Sequence, residues 1–433
     1  MSFKFIHASD LHLDTPFEGL KILDPKISEM LKDASLTAWD RLIDLAITDE
    51  VDFILLAGDI YDGKSRGVRA RSRLLNGLRR LSEQGIKVFI VQGNHDPVDE
   101  GGLVPKDQRL TDVYIFPPRT PERVAFSTKD GDNVEVHGIS FGTRSETEDL
   151  SAFLERPSHN WFSIALLHAS VGGDPNHEPY SPTTATKLGS LGFDYYALGH
   201  IHTRQVVSTD PYIVYCGNSQ GLSPKPSELG LKGCYEVQVN KDQQVTPAFV
   251  QLGPVVFDHL RVDIDDSNSL SEIADATSSR AERLIVSKYL DTETVAVILR
   301  VTLVGHHLGT RVDEDSLIEE LNDHLSDARS EIPIFVTSIR FEHPVEDVES
   351  HYTATAAAGS LASLRISEPQ LENRLIYECL EELIDTPFAP VGAYARELLS
   401  DNLKFSELVQ EVQLHVKALI QEQFQVNGQA KPI

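Results

Sequence analysis

The stretch Phe3-Lys4-Phe5-Ile6-His7-Ala8-Ser9-Asp10-Leu11-His12 sets the reading of the whole chain. Its first six residues form a short, mostly apolar run of the kind a buried strand requires. The run then gives way to a carboxylate and an imidazole. The same change recurs four times. Phe53–Ala57 leads into Gly58-Asp59-Ile60-Tyr61-Asp62, and Val88–Gln92 into Gly93-Asn94-His95-Asp96. Ser163–Leu167 leads into His168, and Tyr195–Leu198 into Gly199-His200-Ile201-His202. Ligand sites of α/β sheets gather at the C-terminal ends of strands. Five motifs far apart in sequence are therefore expected along one edge.

Working outward, helical patterns separate these strands. Around Ala38–Ile47, Trp39, Leu42, Ile43 and Ala46 share one face, and a second pattern runs from Val68 to Leu81. Further strands are expected at Val134–Ile139 and Tyr212–Tyr215. The order strand, helix, strand predicts an α/β domain over residues 1–252. Leu252-Gly253-Pro254 reads as a hinge. Residues 253–345 then alternate as strand (Leu260, Val262, Ile264), helix (Leu270–Leu284), strand (Thr294–Val304), helix (Glu314–Leu325) and strand (Ile334–Phe341). That pattern predicts a small, separate α+β domain. Residues 346–433 open as an Ala/Ser/Thr-rich linker and turn helical, with apolar stripes Leu371, Leu375, Ile376, Cys379 and Phe405, Leu408, Val412. Those stripes suit either the protein's own core or a partner, including a second copy of the chain.

Composition narrows the function classes. The chain has 433 residues, 41% of them hydrophobic, and a formal net charge of −27, which argues against indiscriminate adhesion to nucleic acid or anionic membrane. The deficit is densest in residues 251–350. Cys216, Cys234 and Cys379 fit neither a disulfide framework nor a zinc knuckle and are expected to be reduced and packed. No apolar run reaches the length of a bilayer span, and Met1–Ile6 leads into a strand rather than a secretory signal, so a cytoplasmic protein is expected.

The polar motifs supply two carboxylates (Asp10, Asp59), four imidazoles (His12, His168, His200, His202) and one amide (Asn94), with no thiolate. Such a set suits manganese, iron or zinc, and is too rich in His for calcium or magnesium alone. On extended backbone, the alternate side chains of Asp-x-His and of His-x-His would each reach one metal. Glycines before Asp59, Asn94 and His200 would let the chain turn tightly and the metal approach. Any one motif is common; the ordered set, each behind a strand, is specific.

Taken together with Leu167–Gly173, Gly192–His202, Gly217-Asn218-Ser219-Gln220-Gly221 and Lys232-Gly233-Cys234, the motifs resemble the calcineurin-like metallophosphoesterase superfamily. Within it the chain resembles the SbcD-like DNA double-strand-break repair nucleases, closest to their YhaO-type branch. The resemblance is strong over residues 1–250, architectural over 253–345 and weak beyond. It implies a four-layer αββα sandwich with a capping domain. It also implies two divalent metals, with manganese expected. One would be held by Asp10, His12, Asp59 and His202, the other by Asp59, Asn94, His168 and His200, so that Asp59 bridges. His95 would act on the leaving oxygen as acid or stabiliser, with Asp62 fixing its tautomer. Asp96 is expected to brace the turn, and His7 to sit behind the ligand face.

The implied activity is a DNA exonuclease in repair that hydrolyses phosphodiesters with a metal-activated hydroxide, working with an SbcC-like ATPase. Arg66, Arg69, Arg73 and Arg80 fall on one helical face just after Asp62 and could track DNA phosphates. The same face could equally be a solvated surface paired with acidic neighbours. One departure is plain: relatives place basic residues soon after Gln220-Gly221, whereas here only Lys225 follows. A phosphodiesterase or phosphatase for small nucleotides is the alternative activity, and a non-catalytic scaffold a third possibility that the intact ligand set disfavours.

Overall fold

A computed structural model describes residues 2–17, 25–63, 67–104, 110–157, 161–172, 180–264, 269–305, 314–327 and 331–342. The expected linker and helices of 346–433, and Arg66, lie outside the described residues. In chain order the first elements are β1 (Phe3–Ala8), α1 (Pro25–Thr48), β2 (Phe53–Ala57), α2 (Val68–Glu83), β3 (Lys87–Val91), β4 (Val113–Ile115) and β5 (Glu122–Ser127). Next come β6 (Asn133–Gly138), β7 (Phe162–His168), α3 (Ala185–Leu191), β8 (Tyr195–Gly199), β9 (Gln205–Thr209) and β10 (Tyr212–Tyr215). The last are β11 (Gly233–Val239), β12 (Val245–Gln251), β13 (Val255–Asp263), α4 (Leu270–Lys288), β14 (Ala296–Val304), α5 (Glu314–Asp327) and β15 (Ile334–Glu342).

Two six-stranded sheets, ordered β12-β11-β1-β2-β3-β4 and β5-β6-β7-β8-β10-β9, stack face to face. The two-residue period of the strands decides which side chain goes where. Phe3, Phe5, Phe53, Leu55 and Phe89 point inward and meet Val134, Val136, Phe162, Ile164 and Tyr195 of the opposite sheet. The alternate residues Ile6, Ile54, Leu56 and Ile90 point outward and are covered by Trp39, Leu42 and Ile43 of α1 and Leu74 and Leu78 of α2. On the other side Leu167, Tyr196 and Leu198 pack under Leu188 of α3. The layers are helix, sheet, sheet, helix: the αββα sandwich that the resemblance implies. The fully buried strands β2, β7 and β8 read as unbroken apolar runs because both their faces are covered.

Residues 255–342 depart from the expected α+β layout. β13, β14 and β15 form one parallel sheet, joined by α4 and α5, which makes the unit α/β. Parallel neighbours require crossover helices, and the strand–helix alternation already carried that requirement. One sheet face packs on α4 and α5. The inner part of the other face, Val255, Phe257 and Ile298, packs on Leu31 and Ala34 of α1. No helix among the described residues is long and apolar enough to cross a membrane. Cys216 and Cys234 are buried free thiols, as expected.

Candidate metal centre

The five strand ends converge. β1 delivers Asp10 and His12, β2 delivers Asp59, β3 delivers Asn94 and His95, β7 ends on His168, and β8 delivers His200 and His202. Backbone bonds tie the loops together. Asp10 N donates to the Gly58 carbonyl (3.0 Å) and His12 N to that of Asp59 (3.1 Å). The Asp59 Oδ1 accepts from His95 N (2.9 Å) and the Asp10 Oδ1 from His200 N (3.1 Å). Asp10 (φ 50°), His12 (42°), Asp59 (51°) and His200 (96°) all adopt left-handed backbone, which costs energy for any residue with a Cβ. Four of the seven candidate ligands carry this strain. At two of the expected positions the geometry requires glycine. Gly58 is left-handed at φ 94°, and a Cβ on Gly93 would lie 2.3 Å from Asp59 Oδ1.

The donors form two groups. Ligand atoms of Asp10, His12 and His202 all lie within 4.8 Å of one another, as do those of Asp10, Asp59 and His168. His12 Nε2 is 3.2 Å from His202 Nε2, and His168 Nε2 is 2.9 Å from Asn94 Oδ1 and 3.4 Å from Asp59 Oδ2. His200 Nδ1 is 3.3 Å from the same Asn94 oxygen. Ligands about 2.1 Å from one cation stand roughly 3.0 Å apart in octahedral and roughly 3.4 Å apart in tetrahedral geometry, and the observed spacings match. A second observation points the same way. His168 Nδ1 donates to the Ala57 carbonyl at 2.8 Å, which leaves Nε2 of the neutral ring as a bare acceptor facing the Asn94 oxygen. Two facing acceptors need a cation or a proton between them. The residues therefore fit two divalent cations.

His200 and His202 do not share a site. His200 joins Asn94 and His168, whereas His202 joins His12. The expectation that alternate side chains of an extended His-x-His reach one metal is corrected here, because the left-handed His200 backbone breaks the alternation.

Electrostatics fit a pocket that exchanges protons for cations. Burial alone would lower the His168 imidazole, but the Asp59 charge beside it pushes it up to about 9. Burial opposes ionisation of Asp59, yet His168 holds its carboxyl well below the ordinary range. His12 is driven down to about 4 by burial and by His202, so it presents a free lone pair.

His95 stands beside the donors, its ring 5.0 Å from that of His12. Its Nδ1 bonds Asp62 Oδ1 at 2.6 Å. Burial would depress this imidazole, but Asp62 and the Asp59 charge override it and push it up to about 9. Asp96 braces the turn as expected, accepting from Ile60 N (2.8 Å), Tyr61 N (3.2 Å) and Gly93 N (2.9 Å). His7 is buried behind the ligands, bonded to Tyr195 Oη (3.0 Å) and the Leu198 carbonyl (3.2 Å).

Glu228 escaped the sequence reading. Its Oε1 bonds His202 Nδ1, and its Oε2 accepts from Asn218 Nδ2 (2.7 Å) and Leu222 N (3.0 Å). It thereby fixes the ring so that Nε2 faces the donors. Its one signal in the sequence is its place shortly after the Gly217–Gly221 motif, where the resemblance implies basic residues instead. Lys232 Nζ props the same loop through the His202 carbonyl at 2.8 Å. Replacing Glu228 with Gln should weaken metal retention at the His202 side by about tenfold, since partners of ligating histidines carry that much affinity. Calorimetric titration of the metal-free protein with manganese reads this; unchanged affinity would remove the role.

Three residues of the expected basic track on α2 face acidic partners. Arg69 pairs with Asp14 and Asp33, Arg73 with Asp40 (2.6 Å) and Arg80 with Asp44 (2.7 Å). Asp33, Asp40 and Asp44 line the facing side of α1, so the charge is compensated. The open alternative, a helix face paired with acidic neighbours, describes these three residues.

A sandwich carrying two cation-sized donor groups and an imidazole–carboxylate pair at its strand ends defines a metal-dependent hydrolase. Residues 3–204 match the calcineurin-like phosphoesterase family model, and this part of the chain is a metallophosphoesterase domain of that family. The chain is 36% identical over 270 residues to the uncharacterized metallophosphoesterase YhaO of Bacillus subtilis, covering 62% of this chain and 65% of YhaO. It is 29% identical over 250 residues to the DNA double-strand break repair protein Mre11 of Saccharolobus solfataricus, covering 55% and 61%. It is 24% identical over 276 residues to a component of the SbcCD nuclease of Staphylococcus saprophyticus, covering 58% and 69%. The chain thus matches less than two thirds of the length of the first two relatives. These similarities agree with the branch the motifs indicated.

Proposed function

We propose that this chain is a dinuclear-metal phosphodiesterase acting as a DNA exonuclease in repair. The observation that carries the chemistry is the His95–Asp62 pair set against two cation-sized donor groups. The nucleic-acid substrate is supported by the similarity to proteins named as a repair protein and a nuclease. Asp10, His12 and His202 would hold one metal and Asn94, His168 and His200 the other, with Asp59 between them. When bound, a pair of divalent cations, manganese by this reading, neutralises phosphoryl oxygens and acidifies a water.

The chain's own residues supply the rest. Asp62 favours the protonated form of His95, so the imidazolium can stabilise or protonate the departing oxygen. Glu228 and Ala57 hold His202 and His168 with their second nitrogens facing the donors. An SbcC-like ATPase and a second copy of the chain are the proposed partners, in the cytoplasm.

His95→Ala should keep both metals and lose about two to three orders of magnitude in turnover. Metal analysis together with a chromogenic phosphodiester assay checks this. Loss of the metals with residual rate intact would assign His95 to ligation instead.

One observation favours the alternative, a phosphodiesterase or phosphatase for small nucleotides: Arg69, Arg73 and Arg80 of α2 are each paired with a carboxylate, so three of the expected phosphate contacts are already compensated within the protein. A plasmid and a labelled duplex incubated with manganese, then with EDTA, separate the two. Turnover of the chromogenic ester with every DNA left intact would overturn the nuclease reading.

A further inference from the structure

The register of the three-stranded sheet sorts the face opposite α4 and α5, open beyond its innermost row among the described residues, into rows. Innermost, Phe257, Ile298 and Phe335 are apolar, and the first two pack on the sandwich domain. The next row is His259, Arg300 and Ser338, and the one after it Arg261, Thr302 and Arg340. Acidic side chains reappear only in the outer row, with Asp263 and Glu342. Two consecutive rows thus hold three guanidiniums, an imidazole and two hydroxyls, with no carboxylate. Strands about 4.8 Å apart and residue pairs about 6.6 Å apart along them place the backbone positions of all six groups within roughly 12 Å.

The cationic face continues around the edge strand. A groove of about 390 Å³ is lined by His259, Arg261, Arg280, Arg283, Leu284 and Ser287 among others, and none of its lining residues is acidic. Arg261 is paired with Glu342. Arg300 instead bonds the Ser338 hydroxyl at 3.2 Å. Among the described residues neither Arg300 nor Arg340 has a carboxylate partner. Burial and the neighbouring Arg340 charge both lower the Arg300 guanidinium, as expected of like charges lacking a counter-ion. In a chain of net charge −27, leaving Arg300 and Arg340 without a carboxylate partner while Arg69, Arg73 and Arg80 of α2 are paired marks the face as a place for an external anion.

The face is continuous with the catalytic loop. His259 Nε2 donates to the Pro224 carbonyl at 3.1 Å, and Gly230 N donates to that of Phe257 at 2.8 Å. Between these two ties lies Glu228, which holds His202. The loop that fixes His202 is thus tied to this sheet by two hydrogen bonds.

We propose that the open sheet face bearing Arg300, Arg340, Arg261 and His259, with the Arg280–Arg283 groove beside it, binds the phosphate backbone of the nucleic-acid substrate. This rests on the nuclease reading above. Guanidiniums suit phosphate through paired N–H donors, and the neighbouring hydroxyls of Thr302 and Ser338 add donors without charge.

The test is duplex and single-strand binding by the full chain in EDTA, where nothing is cleaved, followed by fluorescence anisotropy at several salt concentrations. The variant is Arg300→Gln with Arg340→Gln; a charge-matched control removes Lys187 and Arg119, which pair with Asp149 and Asp99. Binding should weaken about tenfold, and the salt slope should fall by roughly one to two units, in the double variant but not in the control. Circular dichroism and metal content should match the parent protein.

Equal losses in variant and control would reduce the effect to net charge and overturn the proposal. Undiminished binding by the double variant would overturn it while leaving the nuclease reading in place. If the parent protein neither binds nor cleaves any nucleic acid, both readings fall. Loss of sedimentation with phosphatidylserine vesicles, without any duplex binding, would assign the face to a membrane instead.

Discussion

Replacing Asp59 with Asn should empty both metal positions and lower turnover by more than about four orders of magnitude. Asp59 is 1% exposed, its Oδ2 is 3.4 Å from His168 Nε2, and its Oδ1 accepts from His95 N at 2.9 Å. One carboxylate therefore touches the second donor group and the His95 turn at once. Asn keeps the volume and the oxygen but removes the charge that holds two cations near each other. Activity that depends on charge neutralisation and on an oriented acid together loses both factors, each worth about two orders of magnitude or more.

The measurement should include more than rate. Manganese should raise the unfolding midpoint of the parent protein, since a ligand that binds only the folded state stabilises it by mass action. The midpoint of the Asp59→Asn chain should stay flat across the same titration. A normal metal-dependent shift would show that Asp59 is not a ligand. Without metal the sign of the pH effect is also fixed. Asp59 has its folded pKa depressed, so its stabilising pairing with His168 is present above the ordinary Asp range and lost as pH falls through the lower folded value. Asn at this position should remove that acid-side dependence.

The sandwich and its strand-end motifs were legible because local sequence carries them. β1, β2, β7, β8 and β10 are short, doubly buried or inward-facing, and nearly all apolar, so their limits could be read to within one residue. β4, β5, β9, β11 and β12 were missed: β5, β9 and β12 alternate exposed and half-buried residues at the sheet margins, where burial leaves little compositional trace, β4 has only three residues, and in the interior β11 Gly233, Glu236 and Gln238 interrupt the apolar run. The ligands themselves were readable, since the residue type does the chemistry. How they divide was less so: His200 and His202 are two residues apart, and only the backbone conformation at His200 separates them.

Pairing was the least legible property. Arg69, Arg73 and Arg80 look identical in sequence whether they face solvent or Asp33, Asp40 and Asp44, because those partners lie several helical turns upstream on another helix. Conversely, Arg300 and Arg340 sit in the most acidic part of the chain, and only strand register shows that the acids are elsewhere. Glu228 belongs to the same class, because its importance lies in His202, 26 residues away.

Gly199→Ala should cost about 3 kcal/mol or more in stability and take the metals with it, because overpacking against backbone lies at or beyond the upper end of the usual range. Gly199 ends β8 against the end of β2 in the other sheet. A Cβ there would lie 1.9 Å from the Ala57 carbonyl oxygen and 2.9 Å from His168 Nδ1. The obstruction is backbone at the end of β2, so no rotamer change relieves it. The displaced carbonyl is the acceptor of the His168 Nδ1 bond, so the sheets cannot part without turning a ligand.

Gly189→Ala supplies the comparison. It lies within α3, its added methyl would approach nothing nearer than Pro211 Cδ at 3.8 Å, and Ala is favoured over Gly in a helix by about 0.5–1 kcal/mol. Urea unfolding should therefore move in opposite directions for these two identical substitutions. If Gly199→Ala unfolds like the parent and still binds manganese, the close approach of β2 and β8 that assembles the metal centre is wrong, and the ligand geometry derived from it goes too.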